Sequence, residues 1–220
     1  MIKPSTFSFL RQLAANNNRE WFQEHKQQHD AARENVLAFV AEIKEGIAKI
    51  DAAIPKNMDS KDCVMRIYRD IRFSKDNTRY KNNFGIGISE NGKNFLGPGY
   101  YLHIHPEDSF IAGGCWMPEA HVLKAIRQEI DYHGADFHAI IDNPSFKKYF
   151  KQLDTESKLK TAPKGYPVDH SDIEYLKLKS FTVSHLLLES DLKKDQAAET
   201  VVAGFAKLYP FITFLRRALA

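Results

Sequence analysis

Cysteine is nearly absent from this chain of 220 residues: Cys63 and Cys115 stand alone and match no metal-ligand spacing. Two unpaired thiols fit a cytoplasmic setting better than a disulfide-stapled secreted one. No run of about eighteen apolar residues occurs, so no membrane span is expected. The first residues, Met1 to Phe7, lack the apolar stretch and cleavage pattern of a signal peptide. No Gly-rich phosphate loop or dinucleotide fingerprint is present; Gly85-x-Gly87 has neither pattern's remainder. Ser180 and Thr182 lack the glycines of a nucleophile elbow, which argues against serine-hydrolase chemistry. Net charge is only +3, short of the continuous basic bias of non-specific nucleic-acid binders.

Apolar residues make up 43% of the chain and aromatics 12%, enough for a sizeable core. Length allows one large domain or two small ones, and with no internal repeat, linker or boundary a single domain over residues 1–220 is expected. Ser5 or Thr6 can cap a short helix bearing Phe7, Phe9, Leu10 and Leu13. Asn16-Asn17-Asn18 breaks it and offers a new cap before Arg19-Glu20-Trp21-Phe22. The stripe Val36, Val40, Ile43, Ile47 and Ile50 marks a long helix, and 51–60 reads as a loop. Phe84–Ile88 reads as a strand, and 99–117 as a hairpin turning at Pro106-Glu107-Asp108-Ser109. In that hairpin Tyr100, Leu102 and Ile104 share the apolar face, with Tyr101, His103 and His105 opposite. Pro118 starts a helix with Val122, Leu123, Ile126 and Ile130 buried, closed by Gly134. Short helices follow around 137–141 and 145–152, then a long loop over 158–171. The last strand is placed at 176–187. The C-terminal helix carries Ala198, Val201, Val202, Phe205 and Leu208, and Pro210 breaks or kinks it. Helices first, strands in the middle and helices last give an α+β class: a central, mostly antiparallel sheet of about four to six strands flanked by N- and C-terminal helices.

The chemistry concentrates between Lys61 and Lys81. Seven Lys/Arg (Lys61, Arg66, Arg69, Arg72, Lys75, Arg79, Lys81) stand there against three acids (Asp62, Asp70, Asp76), a local +4. They alternate with Val64, Met65, Ile67, Tyr68, Ile71 and Phe73, so the segment is no solvated tail. Its branched and aromatic content favours a strand, with Arg69 on one face and Arg66, Asp70 and Arg72 on the other. Guanidinium groups in an apolar frame require carboxylates, carbonyls or a bound anion. One reading is a pocket for a phosphate- or carboxylate-bearing small molecule. Arg66, Arg69 and Arg72 bind in it, Asp70 orients them, and Lys75, Tyr80 and Lys179 add donors. A second is a nucleic-acid module in which Tyr68, Phe73, Tyr80, Tyr100 and Tyr101 stack bases. A third is a structural or protein-interaction domain whose arginines are consumed by Asp70, Asp76 and Glu20 or Glu119; breaking such a buried pair costs roughly 3–5 kcal/mol.

His103-x-His105 puts two imidazoles on one strand face near Glu107, a weak metal signal without a third ligand, and no metal is expected. His25 and His29 share a helix face with Lys26-Gln27-Gln28 between them and read as solvated surface. Gly113-Gly114 leaves either a shallow recess beside Tyr101 and His103 or a tight crossing. No cofactor and no reaction is identified.

Four stretches together carry a resemblance: Asn17-Asn18-Arg19-Glu20-Trp21-Phe22, Arg66 to Tyr80, Trp116-Met117-Pro118, and Leu178-Lys179-Ser180-Phe181-Thr182-Val183. They resemble the domain-of-unknown-function family 2461, mostly bacterial proteins of about this size. The family pattern is Arg-x-x-Arg-Asp-x-Arg-Phe, then an acid, a lysine and a tyrosine. Arg66, Arg69, Asp70, Arg72, Phe73, Asp76 and Tyr80 match it; Asn77 stands where lysine is usual and Arg79 where proline is common. The resemblance implies no activity.

Overall fold

The computed structural model describes residues 1–70 and 78–220. Arg72 and Lys75 of the basic segment, with Asp76, fall outside them. Among the described residues there are ten helices and one antiparallel four-stranded sheet, an α+β fold. The helices are α1 (Pro4–Ala15), α2 (Arg19–Glu24), α3 (Lys26–Ile47), α4 (Ser60–Cys63), α5 (Ala120–Tyr132), α6 (Gly134–Ile141), α7 (Pro144–Phe150), α8 (Ile173–Leu176), α9 (Glu189–Leu192) and α10 (Ala197–Arg217). The strands β1 (Phe84–Ile88), β2 (Gly99–Ile104), β3 (Phe110–Cys115) and β4 (Phe181–Leu186) lie in the order β1-β2-β3-β4. The chain divides into two compact units, one of Met1–Asn94, Tyr101–Ile111 and Leu186–Gly204, the other of Phe95–Tyr100, Ala112–His185 and Phe205–Ala220.

In the first unit α1 opens with Pro4 in its first turn and Lys3 at the cap, and no side chain caps it. Ser5 and Thr6 therefore sit inside the helix rather than capping it: proline's fixed φ already suits the first turn and its missing N–H needs no partner. Phe7, Phe9, Leu10 and Leu13 are buried as the spacing requires. Asn18 does cap α2, its side chain accepting from the Trp21 N–H at 2.9 Å. The stripe of α3, Val36, Val40, Ile43 and Ile47, is fully buried, whereas Ile50 lies beyond the helix end and is half-buried. α3 packs on α1 and on β1.

In the second unit Val122, Ile126 and Ile130 of α5 are buried. Gly134 starts α6 instead of ending α5, because His133 already forms the turn between them. Asn143 caps α7 ahead of Pro144. The last strand is shorter than its apolar run: Ile173–Leu176 coils into α8, and β4 begins only at Phe181. Gly114 (φ +123°) explains the Gly113-Gly114 pair: a Cβ there would lie 1.9 Å from the Phe181 carbonyl oxygen, and one on Gly113 would lie 2.7 Å from Leu208 Cδ1. The pair marks a tight crossing, not a recess.

Helix α10 continues through Pro210, which is exposed. By length and composition it could cross a membrane, contrary to expectation from the absence of an unbroken apolar run. Yet half of that window is buried inside the protein, and Phe205, Leu208, Phe211, Ile212 and Leu215 are inaccessible. Such burial favours a core helix of a soluble protein.

Candidate functional site

The basic segment is extended, but it joins the sheet by isolated bridges, not as a continuous strand. Val64 bridges Ile86, and the Met65 N–H donates to the Gly85 carbonyl at 2.9 Å. The segment then turns to its own continuation. The Lys81 N–H donates to Ile67 O at 2.7 Å, the Arg69 N–H donates to Arg79 O at 3.0 Å, and Tyr68 bridges Tyr80. Ile67 is buried and Arg69 half-buried, while Arg66, Tyr68 and Asp70 are exposed, the alternation that extended backbone imposes. Arg66 and Arg69 thus point to opposite sides. Arg69 Nη1 donates to Thr78 Oγ1.

Tyr80 is 4% exposed. Its ring stacks on Phe22 with centroids 4.0 Å apart and planes 13° from parallel. Asn17 clamps its backbone from both sides: Asn17 Nδ2 donates to Tyr80 O at 2.9 Å, and the Tyr80 N–H donates to Asn17 Oδ1 at 3.0 Å. The side-chain amide thereby acts as a one-residue strand, joining the Asn17–Phe22 stretch to the arginine segment. Lys179 is exposed and belongs to the other unit.

Lys81, which the sequence reading did not select, is the informative neighbour. It is half-buried, and burial first, then the Arg66 charge, lowers its pKa. No carboxylate among the described residues pairs with Arg66 or Lys81. Beyond Lys81 lies the polar face of β2. A Cβ on Gly85 would come within 2.8 Å of Tyr101 Oη; the glycine is what lets the phenol lie across β1. The Tyr101 hydroxyl is 3.0 Å from His103 Nδ1, and Asn83 Nδ2 is 3.4 Å from the same atom. The His103 ring stacks on Phe110 at 4.8 Å with planes 9° apart. Burial, then the neighbouring His105, pushes the His103 pKa down to about 4; Asp108 pulls it up, and Lys81 adds the smallest downward push. Burial pushes the Tyr101 phenol up to about 12. His105 Nδ1 accepts from the backbone N–H groups of Glu107 and Asp108, both at 3.2 Å, and its Nε2 lies 3.1 Å from Asn82 Nδ2. Among the described residues the face offers an ammonium, two imidazoles and amides, and its nearest acid is Asp108, 4.0 Å from His105 Nδ1.

His103 and His105 have ring centroids 6.1 Å apart, and among the described residues no group of three or more His, Cys, Asp or Glu could hold a metal ion. His25 stacks on Trp21 at 4.0 Å, and His29 lies among Phe9, Phe22 and Phe84 with Nδ1 3.0 Å from Asp30. Ser180 is buried and its Oγ accepts from the Met117 N–H at 2.9 Å. That bond holds Met117 at φ +45°, beside the exposed Trp116. Two further stretches behind the family resemblance thus meet here in a structural contact.

The second unit holds a polar cluster that no spacing announced. His138 Nε2 lies 2.6 Å from Asp172 Oδ1, and its Nδ1 lies 2.7 Å from Asp142 Oδ2. Asp172 and then Asp142 raise the His138 pKa. Lys147 pairs with Asp142 at 2.7 Å, and His170 lies 2.9 Å from Asp131. Here His138 lies between two carboxylates, and Lys147 pairs with one of them.

An α+β protein with one acid-poor, donor-lined sheet face is the class that fold and site define. The family model described as "Conserved hypothetical protein (DUF2461)" matches residues 5–214. The chain belongs to that family. No curated protein and no solved structure matches it.

Proposed function

We propose that the protein binds an anionic small ligand, carrying a phosphate or carboxylate group, where Arg66 and Lys81 meet the polar face of β2. One observation carries the reading: half-buried Lys81 feels the Arg66 charge, and neither cation has an acid partner among the described residues. Holding like charges side by side costs energy, and an anion between them reverses the sign of that interaction. Arg72 and Lys75 extend the basic set in sequence, and Asp70 stands within the same stretch. Arg69, bonded to Thr78, supports the frame and fits the rival reading of an internal network. A cytoplasmic setting belongs to the same proposal, supported by two buried, unpaired thiols whose burial raises both pKa values to about 11.

A thermal-shift screen against phosphorylated and carboxylated metabolites tests the reading, because a ligand at a hundred times its Kd adds about 2.7 kcal/mol of stability. A hit is expected, with the shift lost in Arg66→Met and in Arg72→Met while both variants keep the wild-type fold. Binding that survives Arg66→Met, or silence across the library, overturns it.

A further inference from the structure

In the second unit the stretch 163–172 is held down by side chains. Pro163 and Asp172 at its ends are buried, the residues between are mostly exposed, and a Cβ on Gly165 (φ +98°) would meet nothing within 4 Å. Among the described residues its backbone bonds are local. The Tyr166 N–H donates to Pro163 O, the His170 N–H to Pro167 O, and the far end runs into α8. Two imidazoles tie it to the helices. His170, on the stretch, reaches Asp131 of α5, Nε2 to Oδ1 at 2.9 Å. His138, on α6, reaches Asp172, Nε2 to Oδ1 at 2.6 Å. Gly134 at the start of α6 makes room for that carboxylate: a Cβ there would lie 2.9 Å from Asp172 Oδ2.

The two ties ask for opposite protonation states. The backbone N–H of Asp172 donates to His170 Nδ1 at 2.9 Å. A ring nitrogen that accepts holds no proton, so His170 is fastened as a neutral ring with its proton on Nε2, aimed at Asp131. A second proton, on Nδ1, would face the Asp172 N–H and break that bond. His138 has Asp142 Oδ2 2.7 Å from Nδ1 as well as Asp172 on Nε2. Both partners accept, so the ring fills both bonds only when it carries both protons. Asp172 joins the two, its carboxylate on one imidazole and its N–H on the other.

We infer that 163–172 is a strap fastened over a window of pH, closed while His138 is protonated and His170 is not, loosened by acid through His170 and by alkali through His138. The groups around each ring set the limits of the window. Facing His138 are Asp142, Asp172, Lys147 of α7, bonded to Asp142 at 2.7 Å, and Tyr175 of α8, edge-on at 5.7 Å. Facing His170 are Asp131 and, edge-on at 6.2 Å, Tyr166, which also feels Arg127 of α5. The remaining charges of α5 and α6 near the ties are already engaged: Glu129 and Asp136 with Arg217, and Glu129 with His133 at 3.1 Å. Asp172 first, then Asp142, raises the His138 pKa, so its tie is fully present below 6.5 and is lost as pH rises through the raised value.

The test follows hydrogen exchange of the Asp172 amide in the full chain, corrected for the intrinsic rate at each pH, from about pH 5, where carboxylates are still ionised, to about pH 9. Nitrogen-15 chemical shifts of the histidines are recorded over the same range. Within the window His138 should show the doubly protonated signature while His170 shows the neutral Nε2–H signature. Protection of the Asp172 amide should peak there and fall about fivefold or more on each side. His170→Asn places a side-chain carbonyl that accepts from the N–H two residues on at any pH, and should remove the acid limb alone. His138→Gln should remove the alkaline limb alone. If either variant does not fold, the wild-type profile carries the test. Protection that is flat, or that falls on one side only, overturns the inference, and so does an Nδ1–H signature on neutral His170. Equal loss at the Ile126 amide, on the buried stripe of α5, would assign the change to the whole unit and overturn it as well.

Discussion

His103, on β2 of one unit, and His138, on α6 of the other, are the same side chain in opposite surroundings. His138 has a carboxylate on each ring nitrogen, at 2.6 and 2.7 Å, an arrangement that favours the doubly protonated ring and raises its pKa. His103 has donors on Nδ1, an aromatic ring stacked on its face and no carboxylate within hydrogen-bonding distance among the described residues. Carboxylates push the first pKa up; desolvation and neighbouring cations push the second down. Both are polar clusters on a folded scaffold, but one is electrically closed and the other open. A closed cluster has finished its chemistry inside the protein. An open one has N–H donors and a nearby cation, with Asp108 at its rim as the nearest acid among the described residues.

The contrast can be broken most forcefully at Asp172. Its side chain is 10% exposed, against 40% for His138. Asp172→Asn turns a charge-assisted acceptor into an amide facing a protonated ring, and is expected to lower unfolding free energy by about 2 kcal/mol at pH 6. Urea denaturation measures it. A change of only a few tenths would mean that the cluster is not closed in the sense argued.

Next in size are the opposed pH dependences. For His138 the folded pKa lies above the unfolded value of 6.5, so its contribution is fully present below that value and is lost as pH rises through the folded pKa. For His103 the folded pKa is about 4. The unfolded chain takes up a proton below 6.5 that the folded protein refuses, so stability falls as pH drops from 6.5 toward 4, by about 1–2 kcal/mol after solvent screening. His138→Gln should remove the loss at rising pH, and His103→Gln the loss at falling pH. Unfolding curves for both variants from pH 4 to 8 check this; shifts of the same sign would erase the distinction.

How much of this contrast could be read in the chain follows the range of the interactions. Local rules found the Asn18 cap, the α3 stripe and the hairpin from Gly99 to Cys115, because turn chemistry and periodicity act over a few residues. They failed where a distant partner decides. Ile173–Leu176 carries apolar residues that suit a strand and coils instead. Pro210 is tolerated because neighbouring apolar positions of α10 are buried whichever way the ladder is interrupted. Gly113 and Gly114 read equally as a recess or a crossing until Leu208 and Phe181 fill the space. At the site, the basic residues were legible as a cluster, and Arg66 stood out within it. Lys81 needed the backbone pair with Ile67 to show where it stands on the extended segment. The amide that meets His103 Nδ1 comes from Asn83, twenty residues away. Asp172 stands thirty-four residues from His138 with no motif between them, so nothing in the spacing pointed there.

The smallest effect sharpens the comparison most, because it predicts a difference of sign. Lys81 is half-buried and feels the Arg66 charge, with no acid to neutralise it among the described residues, so Lys81→Gln removes a repulsion. It should stabilise the unliganded protein by about 0.5 kcal/mol at low salt. Lys147→Gln, on the closed cluster, removes the cation that pairs with Asp142 at 2.7 Å and should destabilise slightly. Both differences should shrink as salt approaches 1 M, where the Debye length falls to about 3 Å. Parallel urea titrations of the two variants at low and high salt read the signs directly. Stabilisation by loss of a charge is the mark of a group kept for something other than folding, and a destabilising Lys81→Gln would show that the open face already has its counter-charge within the protein.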